Sequence, residues 1–596
     1  MRKWIWILLI VFAASIGLTA GQQVEVQEAT LSNGMKFLMV PRHEAPTVSA
    51  GWVARVGSVN ERPGITGIAH LFEHMMFKGT RTIGINDYEE GAEIQASQDA
   101  VRAEMEKEYS KLREMLRKGE IAGNIYSPEN MTPRLRELRA ELEALFAKER
   151  EVIVKDELDH IYTREGASGM NAGTTPDQTV YFITVPSNKL ELWFWLESDR
   201  LLNPVFREFY SERDVVREER RLRVESTPTG RLDEQFDALF WNASPYGWPV
   251  IGWPSDVESI TRRQAEEFFG VYYAPNNITA ALVGDFDPEE AVRLAERYFG
   301  RIPRGEIDPP EVVTQEIEQL AEKRLLGEAD TNPRVTIRFQ AVPFNHEDMF
   351  ALDLLADILS GRTGRLYRSL VEEKQLAVGQ PSAGMQSLRY EGFFQVGAEV
   401  KEGADPLQLE AGLMREIEKL QEDLVPEREL QKVKNQAMAN SFRRLQSNFF
   451  LLLQLLIYDS SDDWTYLNES PEKVQAVTAE EVREAARRYL KPEKKNVAVY
   501  LRREGAAPMD PALSGLPPEV RASVQQQITQ IEESTDLESL QQALVQTQQM
   551  AGQAPEEFRP ALEYVQRKIQ ERIAALEAEQ SPETGPAPPQ NQEQDR

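Results

Sequence analysis

The sequence predicts an α+β protein of two homologous domains, each a mainly antiparallel sheet with helices packed on it. Three observations support this prediction. Both halves begin with strand-like runs followed by an amphipathic helix, and a unit of helix, proline and strand occurs twice. At 596 residues, the chain also exceeds what one hydrophobic core accommodates, which favours several structural units.

The first half predicts strands, one tight turn and three helices. Apolar and polar residues alternate from Val24 to Val53 around Ser32 to Gly34, which predicts a hairpin and a further strand. Apolar residues at helical spacing then predict a helix from Gly64 to Phe77. Three later elements are expected: a strand at 179–185 and helices at 189–202 and 209–226.

A segment of the first half recurs without a gap in the second half, 217 residues further on. The matching positions are Thr261 with Thr478, Tyr272 with Tyr489, and Pro275 with Pro492. Each copy predicts a Thr-capped helix, a proline stop and a strand. The second half also opens with a strand-like run, 334–342, and a helical one, 346–360. We therefore expect homologous domains at 22–305 and 320–503, joined by a linker at 306–319.

Two segments fall outside this repeat. Charged, Leu- and Glu-rich sequence at about 88–163, broken by Gly, Asn and Pro near 119–133, predicts a helical hairpin inserted into the first domain. Polar residues lie on most sides of its helices, so we expect it to project from the body rather than fill a core. After the second domain, Gln-rich sequence at 504–579 predicts a helical extension, and 580–596 predicts a disordered tail.

The composition limits the classes of partner. A hydrophobic fraction of 41% with 28% charged residues is typical of a soluble globular protein. The net charge of −29 argues against nucleic acid as a partner. An acidic surface attracts basic peptides, although the charge is equally explained by solubility alone. The absence of cysteine excludes a disulfide framework.

The first residues predict export. Basic residues at 2–3 precede an almost wholly apolar run at 4–18 and small residues near 19–21, a pattern typical of a secretory signal peptide at 1–21. The mature protein would then be periplasmic or secreted. The alternative is an uncleaved N-terminal membrane anchor. No later segment is predicted to cross a membrane.

The run from His70 to His74 predicts a metal site. Residues four apart lie on one helix face, so two imidazoles can share a zinc ion, and Glu73 lies beside it. The chain has only five histidines, and two stand in this one turn. A solvated surface helix is the alternative, but the strongly apolar flanking residues weigh against it.

A catalytic zinc needs a third protein ligand, for which Glu219 is the candidate. Glu212 and Glu219 lie seven residues apart and hence on one helical face. One carboxylate can then bind the metal while the other supports a ligand histidine. The residues alone leave Glu218 and Glu225 as equally good candidates.

The chain resembles the pitrilysin/insulinase family of inverted zinc metallopeptidases, whose signature is His-x-x-Glu-His, and most closely its mitochondrial-processing-peptidase-like bacterial members. The resemblance spans about 25–503. Besides the signature, it rests on the segments 57–61, 77–80, 171–172 and 212–219. It implies that Glu219 is the third zinc ligand and Glu212 its supporting glutamate. It also implies that the strand beginning at Asn171 and Ala172 binds an extended peptide at a sheet edge.

The function implied by this resemblance is a zinc-dependent endopeptidase. One Zn²⁺ held by His70, His74 and Glu219 would activate water, with Glu73 as the general base. Peptides or unfolded segments are the expected substrates, because two cupped domains exclude folded proteins. The main alternative is a non-catalytic assembly or binding subunit that retains the fold; a zinc enzyme of another class, such as an amidase, is a third.

The sequence departs from the family pattern in two places. His74 and Glu219 are 145 residues apart, about twice the usual separation, and the inserted hairpin accounts for the excess. In the second domain, Val371 and Val378 stand where the family often has an Arg and a Tyr that hold substrate. We therefore expect a heterodimer with a homologous, zinc-less subunit that supplies this pair. The alternative is that both valines are core residues of an enzyme that works without it.

Overall fold

The computed structural model confirms the predicted α+β class, with two sheets and many helices. The described residues are 23–504, 513, 516, 518–554 and 558–580. The predicted signal peptide and the predicted tail beyond Gln580 lie outside them. Among the described helices, none is both long and apolar enough to span a membrane.

The first sheet has six strands in the order β1-β2-β6-β3-β5-β4. Strands β2 and β6 run parallel, and the other neighbours run antiparallel. The predicted hairpin joins β1 to β2, and its turn places Gly34 at a φ of 92°. The strands are β1 (Gln27–Thr30), β2 (Lys36–Pro41), β3 (Thr47–Ala54), β4 (Ser168–Thr174), β5 (Thr179–Pro186) and β6 (Ile278–Gly284).

The second sheet repeats this plan with five strands in the order β7-β11-β8-β10-β9. Strands β7 and β11 run parallel, and the other neighbours run antiparallel, so each sheet has one parallel pair. The strands are β7 (Lys323–Ala329), β8 (Arg334–Ala341), β9 (Ala377–Ser387), β10 (Gly392–Val400) and β11 (Asn496–Arg502).

Helices cover the sheets and form the two excursions from them. Those of the first half are α1 (Ile68–Met75), α2 (Tyr88–Lys118), α3 (Pro133–Val152), α4 (Glu157–Arg164), α5 (Leu190–Leu202), α6 (Phe209–Arg220), α7 (Gly230–Phe240), α8 (Pro254–Ser259), α9 (Arg262–Tyr272) and α10 (Pro288–Tyr298). The second half contains α11 (Met349–Leu359), α12 (Pro406–Glu422), α13 (Glu427–Gln446), α14 (Asn448–Ser461), α15 (Tyr466–Ala476) and α16 (Ala479–Tyr489). After it come α17 (Pro518–Glu533), α18 (Leu537–Gln553) and α19 (Arg559–Gln580).

The repeated unit folds alike in both halves. Thr261 caps α9 and Thr478 caps α16, each within a capping box that satisfies free backbone N–H groups at the helix start. A short 3₁₀ turn beginning at the matching proline then leads into β6 or β11. The sequence period of 217 residues therefore corresponds to equivalent positions in two similar sheets.

The inserted hairpin consists of α2 and α3, but the expectation that it merely projects from the body is wrong. One apolar face of each helix is buried, and the buried residues belong to the same core cluster as the first sheet. Arg102 of α2 also donates to the carbonyl of Glu258, 3.2 Å away. Charged side chains occupy the remaining faces. Because they are so numerous, the narrow apolar stripe could not be recognised from the sequence. The buried residues include Val101, Met105, Tyr109, Leu135, Leu138 and Leu142.

The two halves exchange one helix each. Helix α7 of the first half packs on the second sheet, where Phe236 contacts Ala498 and Tyr500. Helix α14 of the second half packs on the first sheet, where Asp459 accepts hydrogen bonds from Lys36 and Arg55 at 2.7 Å each. The two helices lie about 217 residues apart, which is the period of the repeat, so they occupy equivalent places in the two halves. The exchange is therefore reciprocal.

The Gln-rich extension folds as three helices with a small apolar core of its own, in which Ile528, Leu540 and Val565 are buried. Arg521 of α17 pairs with Glu399 of β10, which ties the extension to the second sheet. The predicted helical extension is therefore present, and it contacts the body through at least this ion pair.

Candidate metal centre

Helix α1 carries the two imidazoles and is shorter than predicted. Gly64 and Gly67 have φ values of 95° and 88°, so regular helix begins only after them. The carboxylate of Glu61 accepts hydrogen bonds from the backbone N–H groups of Gly67 and Ala69, both at 2.8 Å. This contact satisfies donors that the helix start leaves free and fixes α1 against the preceding loop.

The faces of α1 separate apolar from metal-binding side chains. Leu71, Phe72 and Met75 are buried in the core of the first domain. The imidazoles lie on the opposite side, where His70 is 7% exposed and His74 is partly exposed. The helix therefore anchors itself through one face and presents both rings towards α6.

Helix α6 brings Glu219 to the imidazoles. One carboxylate oxygen of Glu219 lies 3.7 Å from Nε2 of His70 and 3.4 Å from Nε2 of His74. The other oxygen forms an ion pair with Arg223 at 2.8 Å. The alternative candidates lie elsewhere: Glu218 is exposed and pairs with Arg221, and Glu225 faces Arg220 and Arg231.

The three side chains fit a zinc ion. One ligand atom from each lies within 4.8 Å of the other two. Ligands about 2.0–2.1 Å from a tetrahedral zinc are about 3.4 Å apart, close to the separations measured between Glu219 and the two rings. Two imidazole nitrogens and one carboxylate are also the donor set of catalytic zinc sites that keep a fourth position open.

Electrostatic contacts set the protonation of the two rings in the metal-free chain. Burial, together with the neighbouring His74, lowers the pKa of His70 to about 4, so this ring is neutral near pH 7. Burial also acts to lower the pKa of His74, but hydrogen bonds to Glu212 and Glu219 outweigh it and raise the pKa to about 9. A metal ion would have to displace the proton from His74.

Glu212 contacts His74 from the side opposite Glu219. Its Oε1 lies 2.9 Å from Nδ1 of His74, and its Oε2 lies 2.6 Å from Nζ of Lys78. A carboxylate on Nδ1 fixes the ring so that Nε2 is free to bind a metal. Lys78 also pairs with Glu208 at 3.3 Å, and it thereby holds Glu212 in place.

Glu73 lies beside the cluster without joining it. The hydroxyl of Thr174 donates a hydrogen bond to Oε2 of Glu73 at 2.5 Å. Burial raises the pKa of Glu73 above its usual value, and the hydrogen bond from Thr174 opposes this. The side chain is therefore oriented by the last residue of β4.

Strand β4 lies at the edge of the first sheet, next to Glu73. Among the described strands it pairs with β5 alone, so its outer backbone groups are not paired with a neighbouring strand. Asn171 is exposed and Ala172 is half-buried, and the side chain of Asn171 accepts a hydrogen bond from the N–H of Ala172 at 2.8 Å. An open strand edge is the surface to which an extended peptide can add.

Sequence reasoning missed three contacts of the site, those of Lys78, Thr174 and Arg223. Lys78 lies within the segment 77–80 that the sequence singled out, and Thr174 follows the segment 171–172 by two residues. Arg223 follows Glu219 by four residues on the same helical face. No spacing rule could link Thr174 to Glu73, because 101 residues separate them. Val371 and Val378 lie in the second half; Val371 packs against the second core, and Val378 is the second residue of β9.

The fold and the site together define a two-domain α+β protein with a His, His, Glu cluster beside an open strand edge, and proteins of known structure share this fold. The family model "Insulinase (Peptidase family M16)" matches residues 36–112, and "Peptidase M16 inactive domain" matches 259–437. The chain belongs to this insulinase family, peptidase M16, and carries its N- and C-terminal domains.

Relatives and solved structures agree with this assignment. "Zinc protease PqqE" of Helicobacter pylori is 26% identical over 430 residues, which cover 71% of this chain and 80% of that protein. A crystal structure of a protease from Helicobacter pylori superposes with a TM-score of 0.65 at 23% identity, covering 80% of this chain and 99% of that one. The crystal structure of a peptidase M16 inactive domain from Pseudomonas fluorescens superposes with a TM-score of 0.61 at 17% identity, covering 82% of this chain and 100% of that one.

Proposed function

We propose that the chain is a zinc-dependent endopeptidase that hydrolyses peptides or unfolded polypeptide segments. The observation that carries this proposal is the position of Glu73: a carboxylate beside, but not within, a cluster of two imidazoles and a third ligand. The site borders an open strand edge, so a bound backbone would pass directly beside this carboxylate.

His70, His74 and Glu219 would hold one zinc ion per chain. Zinc bound there would supply Lewis-acid chemistry, polarising a carbonyl group and acidifying water. Glu212, held by Lys78, keeps the His74 ring oriented for binding through Nε2. These residues account for metal binding, and none of them is needed for proton transfer.

Glu73 would move the proton. Its carboxylate takes a proton from the attacking water and delivers it to the leaving amine. Thr174 donates to Oε2, so that Oε1 remains available for this transfer. The N–H and C=O groups along the outer edge of β4, near Asn171 and Ala172, align the substrate backbone by extending the sheet. Such binding depends on backbone more than on side chains and requires an extended, unfolded segment.

The remaining proposals concern the partner and the compartment. Val371 and Val378 in place of an Arg and a Tyr support a heterodimer in which a homologous, zinc-less subunit supplies that pair. The N-terminal apolar segment supports export to the periplasm or beyond. Co-purification with a tagged chain from its native source tests the first of these: we expect a similar-sized homologue in equal amount.

A non-catalytic assembly or binding subunit is the second candidate. The observation in its favour is that the family model that matches residues 259–437 describes an inactive domain. None of the clustered ligands lies in this range, however, so the match does not conflict with an active first domain. A binding subunit would have no need for a stoichiometric metal ion.

Replacing Glu73 by Gln tests the proposed function. We expect one zinc per chain as in the wild type, but a turnover of an unfolded protein substrate reduced by about 10²–10⁴-fold, the usual contribution of a general base. The protein should be purified with any partner that accompanies it. Glu218→Gln makes the same change on exposed α6 surface and should leave turnover unaltered. Undiminished cleavage by Glu73→Gln would refute the assignment.

A further inference from the structure

A cavity of about 300 Å³ adjoins the proposed catalytic residues. Glu73, His74 and Asn171 line one side of it. Its lining also includes residues 153–158, which are the segment joining α3 to α4 and the first two residues of α4, where the inserted hairpin returns to the body. The cavity therefore lies between β4, the strand proposed to bind substrate, and the insertion. The proposed catalytic mechanism gives the insertion no other role.

The returning segment is held firmly against the domain. The N–H of Asn86 donates to the carbonyl of Val152 at 2.8 Å, and the N–H of Val154 donates to that of Gly84 at 3.1 Å. The carboxylate of Glu157 accepts a further hydrogen bond from the N–H of Gly84. These contacts fix the segment as a wall of the cavity.

The lining combines apolar surface with excess negative charge. Phe77, Ile153, Val154 and Leu158 supply the apolar part. Five carboxylates face three cations: the acids are Glu73, Asp156, Glu157, Glu208 and Glu212, and the cations are Lys78, Lys155 and, behind the wall, Arg207.

Of the five acids, Asp156 is the least engaged by other groups, because Glu157 already accepts from Gly84 and lies near Arg207. Lys78 is bound between Glu208 and Glu212, and Arg207 donates to three backbone carbonyl oxygens. Lys155 is 4.0 Å from Asp156, but its side chain is 87% exposed to solvent. A ligand cation entering along the apolar wall would therefore pair mainly with Asp156, and Glu157 would add negative charge beside it.

We propose that the insertion makes this cavity a specificity pocket for a Lys or Arg side chain adjacent to the scissile bond. An aliphatic stem fits the apolar wall while the cationic head reaches the acidic end. This inference rests on the proposed peptidase function and specifies its substrate class. The acidity of the whole chain, at −29, favours approach of the same basic segments.

Asp156→Asn tests the pocket with little risk to the fold. Asp156 has a φ of 54°, and Asn tolerates this left-handed conformation as well as Asp does. Quenched-fluorescence peptides that carry Lys, Arg, Met or Glu in turn at each position around the cleaved bond give kcat/KM ratios. At one position, wild type should prefer Lys and Arg over Met. Asp156→Asn should reduce that preference by about two- to fivefold, the effect of one exposed charge.

Two further variants control this experiment. Asp159→Asn makes the same change on the exposed face of α4 outside the cavity and should leave the ratio unchanged. The double variant Asp156→Asn/Glu157→Gln should reduce the preference further than Asp156→Asn does. The wild-type preference should also weaken as salt rises, because an exposed pair is screened.

Peptide binding to the Glu73→Gln protein separates this inference from the proposed function. Tighter binding of the Lys peptide than of the Met peptide, reduced by Asp156→Asn, supports the pocket even if wild type cleaves neither. Equal binding of both peptides, or a cleavage preference that Asp156→Asn leaves intact, overturns it. Absence of all cleavage together with selective binding would overturn the peptidase function alone.

Discussion

Glu219 lies beside His70 and His74 because α6 packs directly against α1, and Val216 of α6 is fully buried. Helical periodicity placed the two histidines on one face from the sequence alone. It could not select Glu219 over Glu218, since both lie on the same predicted helix. The structure separates them, because Glu218 is exposed and pairs with Arg221.

Glu212 is expected to act on metal binding through the His74 ring, because its carboxylate contacts Nδ1 of that ring. Replacing it by Gln leaves the side-chain shape but removes the charge that orients and polarises the ring. We expect zinc affinity to fall by about 10–100-fold. Competition with a chromophoric chelator measures the dissociation constant. Glu208→Gln is the matched control, since Glu208 pairs with Lys78 but not with a histidine; an equal loss in both variants would contradict this role.

At the scale of elements, the inserted hairpin shows that a charge-rich composition does not reveal whether a helix buries one apolar face. Its i to i+3 ion pairs, such as Lys111 with Glu108 and Arg117 with Glu114, fit the prediction of exposed, charged helices. The buried stripe through Tyr109 and Leu138 is narrow beside so many charges. Periodicity therefore predicted both helices correctly but underestimated how far they share the core of the first domain.

Helix α14 covers the first sheet, and its single charged side chain, Asp459, is only 1% exposed. Lys36, Arg55 and the hydroxyl of Thr279 all donate to this carboxylate. In Asp459→Asn, the partly buried Arg55 loses its counter-charge, and Lys36 keeps only Glu28, 3.8 Å away. We expect the free energy of unfolding to fall by about 2–4 kcal/mol in guanidinium titrations.

Asp423→Asn provides the comparison for this prediction. Asp423 is exposed at the end of α12, so the same change there should alter stability by less than about 0.5 kcal/mol. Equal unfolding midpoints for Asp459→Asn and the wild type would contradict the view that this contact joins the two halves.

The whole molecule follows the duplicated plan that the sequence predicts. The repeat could be recognised from the threonine caps and proline stops, because capping and ending a helix depend only on residues close in sequence. The exchange of α7 and α14 was not predictable, since an apolar helix face does not specify which sheet it covers. For the same reason Thr174, far from Glu73 in sequence, was not expected beside it.

The central claim is that one zinc ion joins α1 to α6, and metal analysis tests it most directly. The full chain, purified with its partner if one is present, should be loaded with zinc, dialysed and analysed by mass spectrometry. We expect about one zinc per chain in the wild type and in Glu218→Ala, and well below one in Glu219→Ala. A zinc-free wild type, or a Glu219→Ala protein that retains a full equivalent, would contradict the account.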